Sequence, residues 1–147
     1  MKAVLITGAT GFIGNALTRF YLKTDTQIHV MVRLLDSASH LPPQVKIHVI
    51  DGSLDSVLKA LENARPNVVF HLASLFLASH QPSDVGPLIT SNVLFGTQLL
   101  EAMALTGCKK MINTGTSWQH YATQDYRPVN LYAATKQAFE DIIDYYH

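Results

Sequence analysis

The sequence predicts an α/β fold, a doubly wound parallel sheet with helices on both faces. Three observations predict it. Short unbroken apolar runs, of the kind that form strands buried on both faces, alternate with longer segments of helical periodicity. The first of these runs leads directly into a glycine-rich turn and then an amphipathic segment. The composition, 48% hydrophobic and 15% charged over 147 residues, is enough for one core of ordinary size.

The elements follow in order. Lys2 to Thr7 is the first strand, apolar throughout its middle, and residues 8–14 form the glycine turn. Asn15 to Lys23 reads as a helix, with Ala16, Leu17, Phe20 and Tyr21 at helical spacing. Ile28 to Val32 is the second strand. Asp36 to Gln44 is a loop, because Pro42-Pro43 cannot sit in a central strand. Val45 to Ile50 is the third strand, a helix covers Ser53 to Ala64, and Asn67 to Ala73 is the fourth strand. A long helix runs from about Leu88 to Leu105, with Val93, Gly96 and Leu100 on one stripe, and Gly107 caps it. Lys110 to Asn113 is the fifth strand, and a last helix starts near Leu131. Residues 139–147 hold no glycine, proline or other stop signal, so the pattern is expected to continue and the chain reads as truncated. No repeat, linker or boundary divides residues 1–147, which read as one domain.

Composition excludes several classes of function. Eleven basic residues balance eleven acidic ones, so there is no basic surplus for phosphates and no nucleic-acid partner is expected. The apolar content excludes an intrinsically disordered chain. Cys108 is the single cysteine, which excludes an internal disulfide and a multi-cysteine metal site. The histidines at 29, 40, 48, 71, 80, 120 and 147 have no metal-ligand spacing, so no metal is expected. No unbroken run of about 18 apolar residues is present, so no membrane span is expected. Ala3 to Ile6 ends at once in Thr7-Gly8 and is not a signal peptide, which makes the cytoplasm the expected location.

The turn after the first strand carries glycines at 8, 11 and 14. A pyrophosphate must come close to backbone N–H groups, and side chains there would block it. The helix that follows offers unpaired N–H groups and a positive dipole end. The spacing Gly-x-x-Gly-x-x-Gly differs from the common Gly-x-Gly-x-x-Gly fingerprint. The alternative is a purely structural turn; the place between strand and helix favours a dinucleotide site. Thr7-Gly8-Ala9-Thr10-Gly11-Phe12-Ile13-Gly14 resembles the opening motif of the extended short-chain dehydrogenases/reductases, the nucleotide-sugar epimerases, dehydratases and reductases. The resemblance implies a Rossmann-type fold with NAD or NADP across the carboxyl ends of the strands. It implies that Gly8, Thr10, Gly11, Phe12, Ile13 and Gly14 border the dinucleotide.

The end of the second strand bears on the cofactor. NAD sites usually place an Asp or Glu there for the ribose 2′-OH, and this chain has Arg33. A guanidinium suits the 2′-phosphate of NADP, so NADP is favoured, while Asp36 in the following loop leaves NAD open. By the resemblance, Asp51 with Gly52 meets the adenine, though the family order is Gly-Asp and here it is Asp-Gly. His71-Leu72-Ala73-Ser74 is similar to the family's His-Leu-Ala-Ala segment, which implies that the backbone around Leu72, Ala73 and Ser74 lies against the cofactor ribose. His71 itself reads as a core histidine. Residues 92–102 resemble the family's central helix, where Gly96 would allow close packing and Asn92 would help organise the site and border the cofactor.

Tyr132 and Lys136 stand four apart, on one face of a helix. A free phenol with a pKa of about 10 is a poor acid–base at neutral pH. A nearby ammonium favours the phenolate and brings such a group toward the working range. The same lysine can hold the nicotinamide ribose. The alternative is an ordinary amphipathic helix, and the place after the fifth strand favours function. Aligned with the family's Ser-Ser-Ser segment, Thr116 takes the catalytic hydroxyl position, with Ser117 the alternative. Ser117-Trp118 replaces the Asp-Glu of sugar 4,6-dehydratases, and Gln119-His120-Tyr121 stands where epimerases have Val-Tyr-Gly. Thr114 to Tyr121, with Arg127 to Tyr132, looks more like the nucleotide-diphosphate-sugar 4-reductases. Trp118 can equally stack on a substrate or pack internally. The resemblance implies a nucleotide-sugar substrate, a C-terminal substrate domain missing from this chain, and a homodimer through the helices after strands four and five. Its alternatives are a 4-epimerase and a non-catalytic dinucleotide sensor.

Overall fold

The computed structural model of the chain describes residues 2–33, 38–122 and 125–147. They fall into two compact units, Met1–Ala73 with Glu101–Asn113, and Ser74–Leu100 with Thr114–His147. The first unit holds a parallel sheet of five strands: β1 (Lys2–Thr7), β2 (Thr26–Val32), β3 (Lys46–Val49), β4 (Val68–His71) and β5 (Met111–Asn113). Their order is β3-β2-β1-β4-β5, with Leu5 opposite both His29 and Val69. As the central strand, β1 is buried from Ala3 to Thr7, which is why its sequence is apolar on both faces. Val4, Ile6, Ile28, Val30, Val32 and Phe70 make one cluster, closed by Leu17, Tyr21 and Leu22 from α1 (Phe12–Tyr21) and its end.

Helix α2 (Leu54–Ala64) buries Val57, Ala60, Leu61 and Ala64, a spacing of three and four. It starts on Ser53, whose Oγ accepts from the Ser56 N–H at 3.2 Å. The step from β1 to β2 through α1 runs opposite in direction to the step from β3 to β4 through α2. Right-handed crossovers therefore put α1 and α2 on opposite faces. The direction reverses between β1 and β4, and there the carboxyl ends of a doubly wound sheet open a crevice.

Boundaries differ from expectation for local reasons. Helix α1 begins at Phe12 rather than Asn15, because extended Gly11 already serves as N-cap and its carbonyl takes the Asn15 N–H at 2.9 Å. Strand β2 begins at Thr26, because Lys2 and Thr26 extend the ladder beyond the apolar run. Strand β4 stops at His71, because Leu72 and Ala73 leave the ladder for a side-chain acceptor.

The long helix is composite. A 3₁₀ turn (Pro82–Asp84) leads into α3 (Val85–Ile89), a π-helical segment (Thr90–Leu94) and α4 (Phe95–Thr106). It ends as expected at Gly107, with Cys108 N–H on Met103 O at 3.0 Å and Gly107 N–H on Ala104 O at 3.3 Å. The stretch Pro82–Thr106 is long and apolar enough, by length and composition, to cross a membrane. It holds no unbroken apolar run of that length, since Ser, Thr, Asn and Gln are scattered through it. Leu88, Leu99, Leu100, Ala102 and Met103 are buried, as in the core helix of a globular protein.

In the second unit, α5 (Leu131–Tyr146) starts on Asn130, whose Oδ1 accepts from the Ala133 N–H at 2.9 Å. The same amide donates to Ala78 O at 3.0 Å, which fastens the segment after β4 to the start of α5. Gly96 of α4 faces the ring of buried Phe139 on α5, and a Cβ at 96 would overlap it. Gly96 thus allows the close helix packing expected of it.

Candidate active site

The glycine turn joins β1 to α1. Gly8 has φ of +70°, and a Cβ there would lie 2.7 Å from Ala73 N, so only glycine fits. Gly14 lies against the Gly8 carbonyl in the same way. Gly11 N–H closes the turn on Gly8 O at 3.0 Å. The N-cap Gly11 gives no side-chain bond, and no acidic residue stands in the first turn of α1. The N–H groups of that turn and the positive dipole end are therefore left to an anionic ligand. The turn fits the pyrophosphate of a dinucleotide. Thr10 is exposed beside it, Phe12 is 93% exposed and Ile13 is exposed as well.

Thr7 was absent from the expected site residues, and it ties the end of β1 to the end of β4 within the first unit. Its buried Oγ1 accepts from the N–H groups of Leu72 at 3.2 Å and Ala73 at 3.1 Å. The same oxygen lies 2.9 Å from His71 Nδ1. With two donors aimed at it, the hydroxyl gives its own hydrogen to Nδ1, which leaves that nitrogen unprotonated. His71 is accordingly a buried, hydrogen-bonded core histidine, as expected. The one sequence signal for Thr7 was its place before Gly8; its partners lie more than sixty residues away.

Arg33 is exposed directly after β2, and Asp36 lies outside the described residues. Asp51 follows β3 and is fully exposed; its Oδ1 accepts from Ser53 N–H at 2.9 Å and Ser53 Oγ at 2.6 Å. Those hydrogen bonds hold its carboxyl down at about 2. One oxygen of Asp51 is thereby committed to the start of α2, and Gly52 makes the intervening turn with φ of +92°.

The second unit carries the other expected residues. Asn92 sits in the π-helical segment, 2% exposed. Its Oδ1 accepts from Leu75 N–H at 2.7 Å and Ser74 Oγ at 3.2 Å. Its Nδ2 donates to Leu75 O and to Thr135 Oγ1, each at 3.0 Å. Thr135 Oγ1 in turn donates to the Tyr132 carbonyl at 2.7 Å. Both donors and both acceptor positions of the amide are filled within the chain. Asn92, expected to organise the site and border the cofactor, thus spends its hydrogen bonds on Ser74, Leu75 and Thr135. Ser74, likewise expected at the cofactor, gives its hydroxyl to Asn92. π-Helical turns recur at functional positions, and Asn92 is the buried residue of this one.

Tyr132 and Lys136 share a face of α5, as their spacing requires. Lys136 is 2% exposed. Burial pushes its ammonium below the ordinary lysine range, and the Glu140 carboxylate one turn on opposes that shift. Thr116 is extended and caps the turn Ser117–Gln119; its Oγ1 accepts from Trp118 N–H at 3.3 Å. Ser117, the alternative hydroxyl, is exposed. Phe76 joins Tyr132 and Trp118, ring to ring, at 5.0 Å edge-on and 5.5 Å tilted. Trp118 therefore packs internally on at least one side.

Known proteins resemble this chain along nearly its whole length. The model of the NAD dependent epimerase/dehydratase family matches residues 4–147. A UDP-glucose 4-epimerase of Mycolicibacterium smegmatis is 29% identical over 97% of this chain and 50% of its own. A CDP-abequose synthase of Yersinia pseudotuberculosis is 22% identical over 97% of this chain and 50% of its own. The UDP-glucose 4-epimerase of Thermus thermophilus, solved in complex with NAD, superposes with a TM-score of 0.86 at 27% identity, covering 98% of this chain and 50% of that one. The chain spans about half the length of these relatives. The sheet order is that of a Rossmann-type fold, the family model covers residues 4–147, and the chain belongs to the NAD dependent epimerase/dehydratase family.

Proposed function

We propose that the protein is an NADP-dependent oxidoreductase of nucleotide-diphosphate sugars, in which NADPH reduces a 4-keto sugar. The observation that carries this reading is the Tyr132–Lys136 pair: a phenol and a buried ammonium on one helical face, with Asn92 and Thr135 fixing the turn that bears Tyr132. When bound, the reduced dinucleotide would supply hydride to the sugar carbonyl carbon. Tyr132 exchanges a proton with the oxygen on that carbon. Lys136 stabilises the phenolate and holds the nicotinamide ribose. Thr116 accepts from Trp118 and so keeps its own hydroxyl hydrogen for the substrate oxygen. Ser117-Trp118 provides neither the acid nor the base for water elimination, which argues against a dehydratase. Exposed Arg33 after β2 supports NADP, because a guanidinium complements a 2′-phosphate and offers no acceptor to a 2′-OH.

A second reading, a 4-epimerase using NAD, is favoured by the likeness to the UDP-glucose 4-epimerases, one of them solved with NAD. A 4-keto nucleotide sugar with NADPH, and UDP-glucose with NAD, tell the two apart. Net loss of NADPH absorbance, abolished by Tyr132→Phe, is the reductase outcome. Inversion at C4 without net change in the cofactor is the epimerase outcome. In the whole protein, substrate region included, dinucleotide binding with neither reaction is the outcome of a sensor and overturns both. Exposed Val85, Ile89 and Leu94, with Tyr145 on α5, support pairing of two copies through these helices; sedimentation checks it.

A further inference from the structure

Gln119 was not among the expected site residues, yet it is 2% exposed and fully hydrogen-bonded. Its Oε1 accepts from the Thr116 N–H at 2.8 Å. Its Nε2 donates to Glu140 Oε2 at 2.8 Å and to Gln137 Oε1 at 3.0 Å. The amide can take only one orientation, since the oxygen meets a donor and the nitrogen meets two acceptors. Glu140 Oε1 lies 2.7 Å from where a Cβ on residue 115 would stand, so Gly115 leaves the space that the carboxylate fills. Glu140 also follows Lys136 by one turn of α5. On α5, the titratable residues one turn either side of Lys136 are Tyr132 and Glu140. Gln119 on the turn and Asn92 on the π-helical segment are neutral.

Resting on the reading of Thr116, Tyr132 and Lys136 as the reacting groups, we propose that Glu140 is a positioning residue for all of them. Through Gln119 its carboxylate fixes the backbone of Thr116, and along α5 it is the counter-charge of Lys136. One side chain thus ties the place of the substrate-facing hydroxyl to the charge that sustains the phenolate. A neutral residue of the same shape keeps the first tie and loses the second. A change at Gln119 does the reverse. A residue with only a packing role would not separate in this way.

Two variants of the full protein test it. Glu140→Gln retains an acceptor for Gln119 and removes the charge; Gln119→Met removes the tie to Thr116 and keeps the charge. Lys136 is followed by ¹³C NMR of its Cε carbon, assigned with Lys136→Met, so this readout needs no substrate. In Glu140→Gln, Lys136 is expected to titrate at a lower pH than in the parent, and the alkaline limb of turnover moves with it. In Gln119→Met, the Lys136 titration stays in place, cofactor KM is unchanged and kcat falls about tenfold or more, the cost of a misplaced reacting group. Should Gln119→Met fail to fold in a thermal melt, Glu140→Gln decides alone. An unmoved Lys136 titration in Glu140→Gln overturns the proposal while leaving the proposed chemistry standing. A Lys136→Met protein with undiminished turnover overturns that chemistry instead, whatever the titration shows.

Discussion

Thr7 shows how much one hydroxyl can organise. It holds two N–H groups and one imidazole nitrogen where β4 ends, inside a site with no water-facing atom of its own. Thr7→Val keeps the shape and leaves those three polar groups unpaired. We expect a loss of about 1–3 kcal/mol in urea unfolding, the desolvation cost of buried unsatisfied groups, with Thr7→Ser recovering most of it. Equal stability of Val and Thr would refute the assignment. Lys136 gives a second expectation with a definite sign. Its folded pKa is lowered, so between that value and the ordinary lysine value near 10.5 the unfolded chain binds more protons. Stability therefore rises with pH through that window. Lys136→Met removes this alkaline gain, which urea midpoints at a series of pH values will show. That Tyr132 and Lys136 share a helical face was legible, because spacing along a helix is a local fact. Thr7, Gln119 and Glu140 were not, because each acts through a partner that only the fold brings near. Glu140 did leave a trace, one turn beyond Lys136.

At the scale of elements, packing decides what periodicity cannot. The stripe of residues 88–105 announced a helix, and Gly96 announced a contact, but only the structure supplies Phe139 as the partner. Gly96→Val should push into that ring and cost about 1–3 kcal/mol by overpacking. Adding Phe139→Leu should restore part of the loss, and strictly additive effects in a double-mutant cycle would count against the contact. The π-helical segment was illegible in advance, since one residue added to a turn barely disturbs an apolar stripe. Strands β2 and β3 carry a different device. His29 and His48 stack with ring centres 5.1 Å apart, and Nδ1 of one lies 2.8 Å from Nε2 of the other. Burial, then His48 and Lys46, lower His29 from 6.5 to about 4, and burial with Lys46 lowers His48. Between those values the unfolded chain takes up protons that the folded chain refuses, so stability falls as pH drops from 6.5 toward about 4. His29→Leu should flatten that slope in urea titrations. An unchanged slope would assign the acid sensitivity elsewhere.

For the whole molecule, the alternation of strand and helix was enough to give the sheet, because each βα step is written locally and right-handed crossovers leave few arrangements. The division into two compact units was not legible, since no linker marks it and the chain passes between them more than once. The first unit alone contains the reversal of strand order, the glycine turn, the Thr7 hub and Arg33. On the proposed reading it should take a dinucleotide, and that binding is measurable as stability without any reaction. A ligand at a hundred times its Kd raises the unfolding free energy by about 2.7 kcal/mol. NADP is expected to raise the urea midpoint more than NAD at equal concentration, because the 2′-phosphate adds a charge-assisted contact to Arg33. Arg33→Ala should weaken NADP by about tenfold or more, the usual worth of such a bond, and leave NAD unaffected. Gly8→Ala should lose both, since its Cβ would displace the backbone at Ala73. If the Arg33 protein binds NAD more tightly than NADP, the cofactor assignment falls and the epimerase reading gains. If neither dinucleotide shifts the midpoint of a folded protein, the anion-binding role of the turn falls with it.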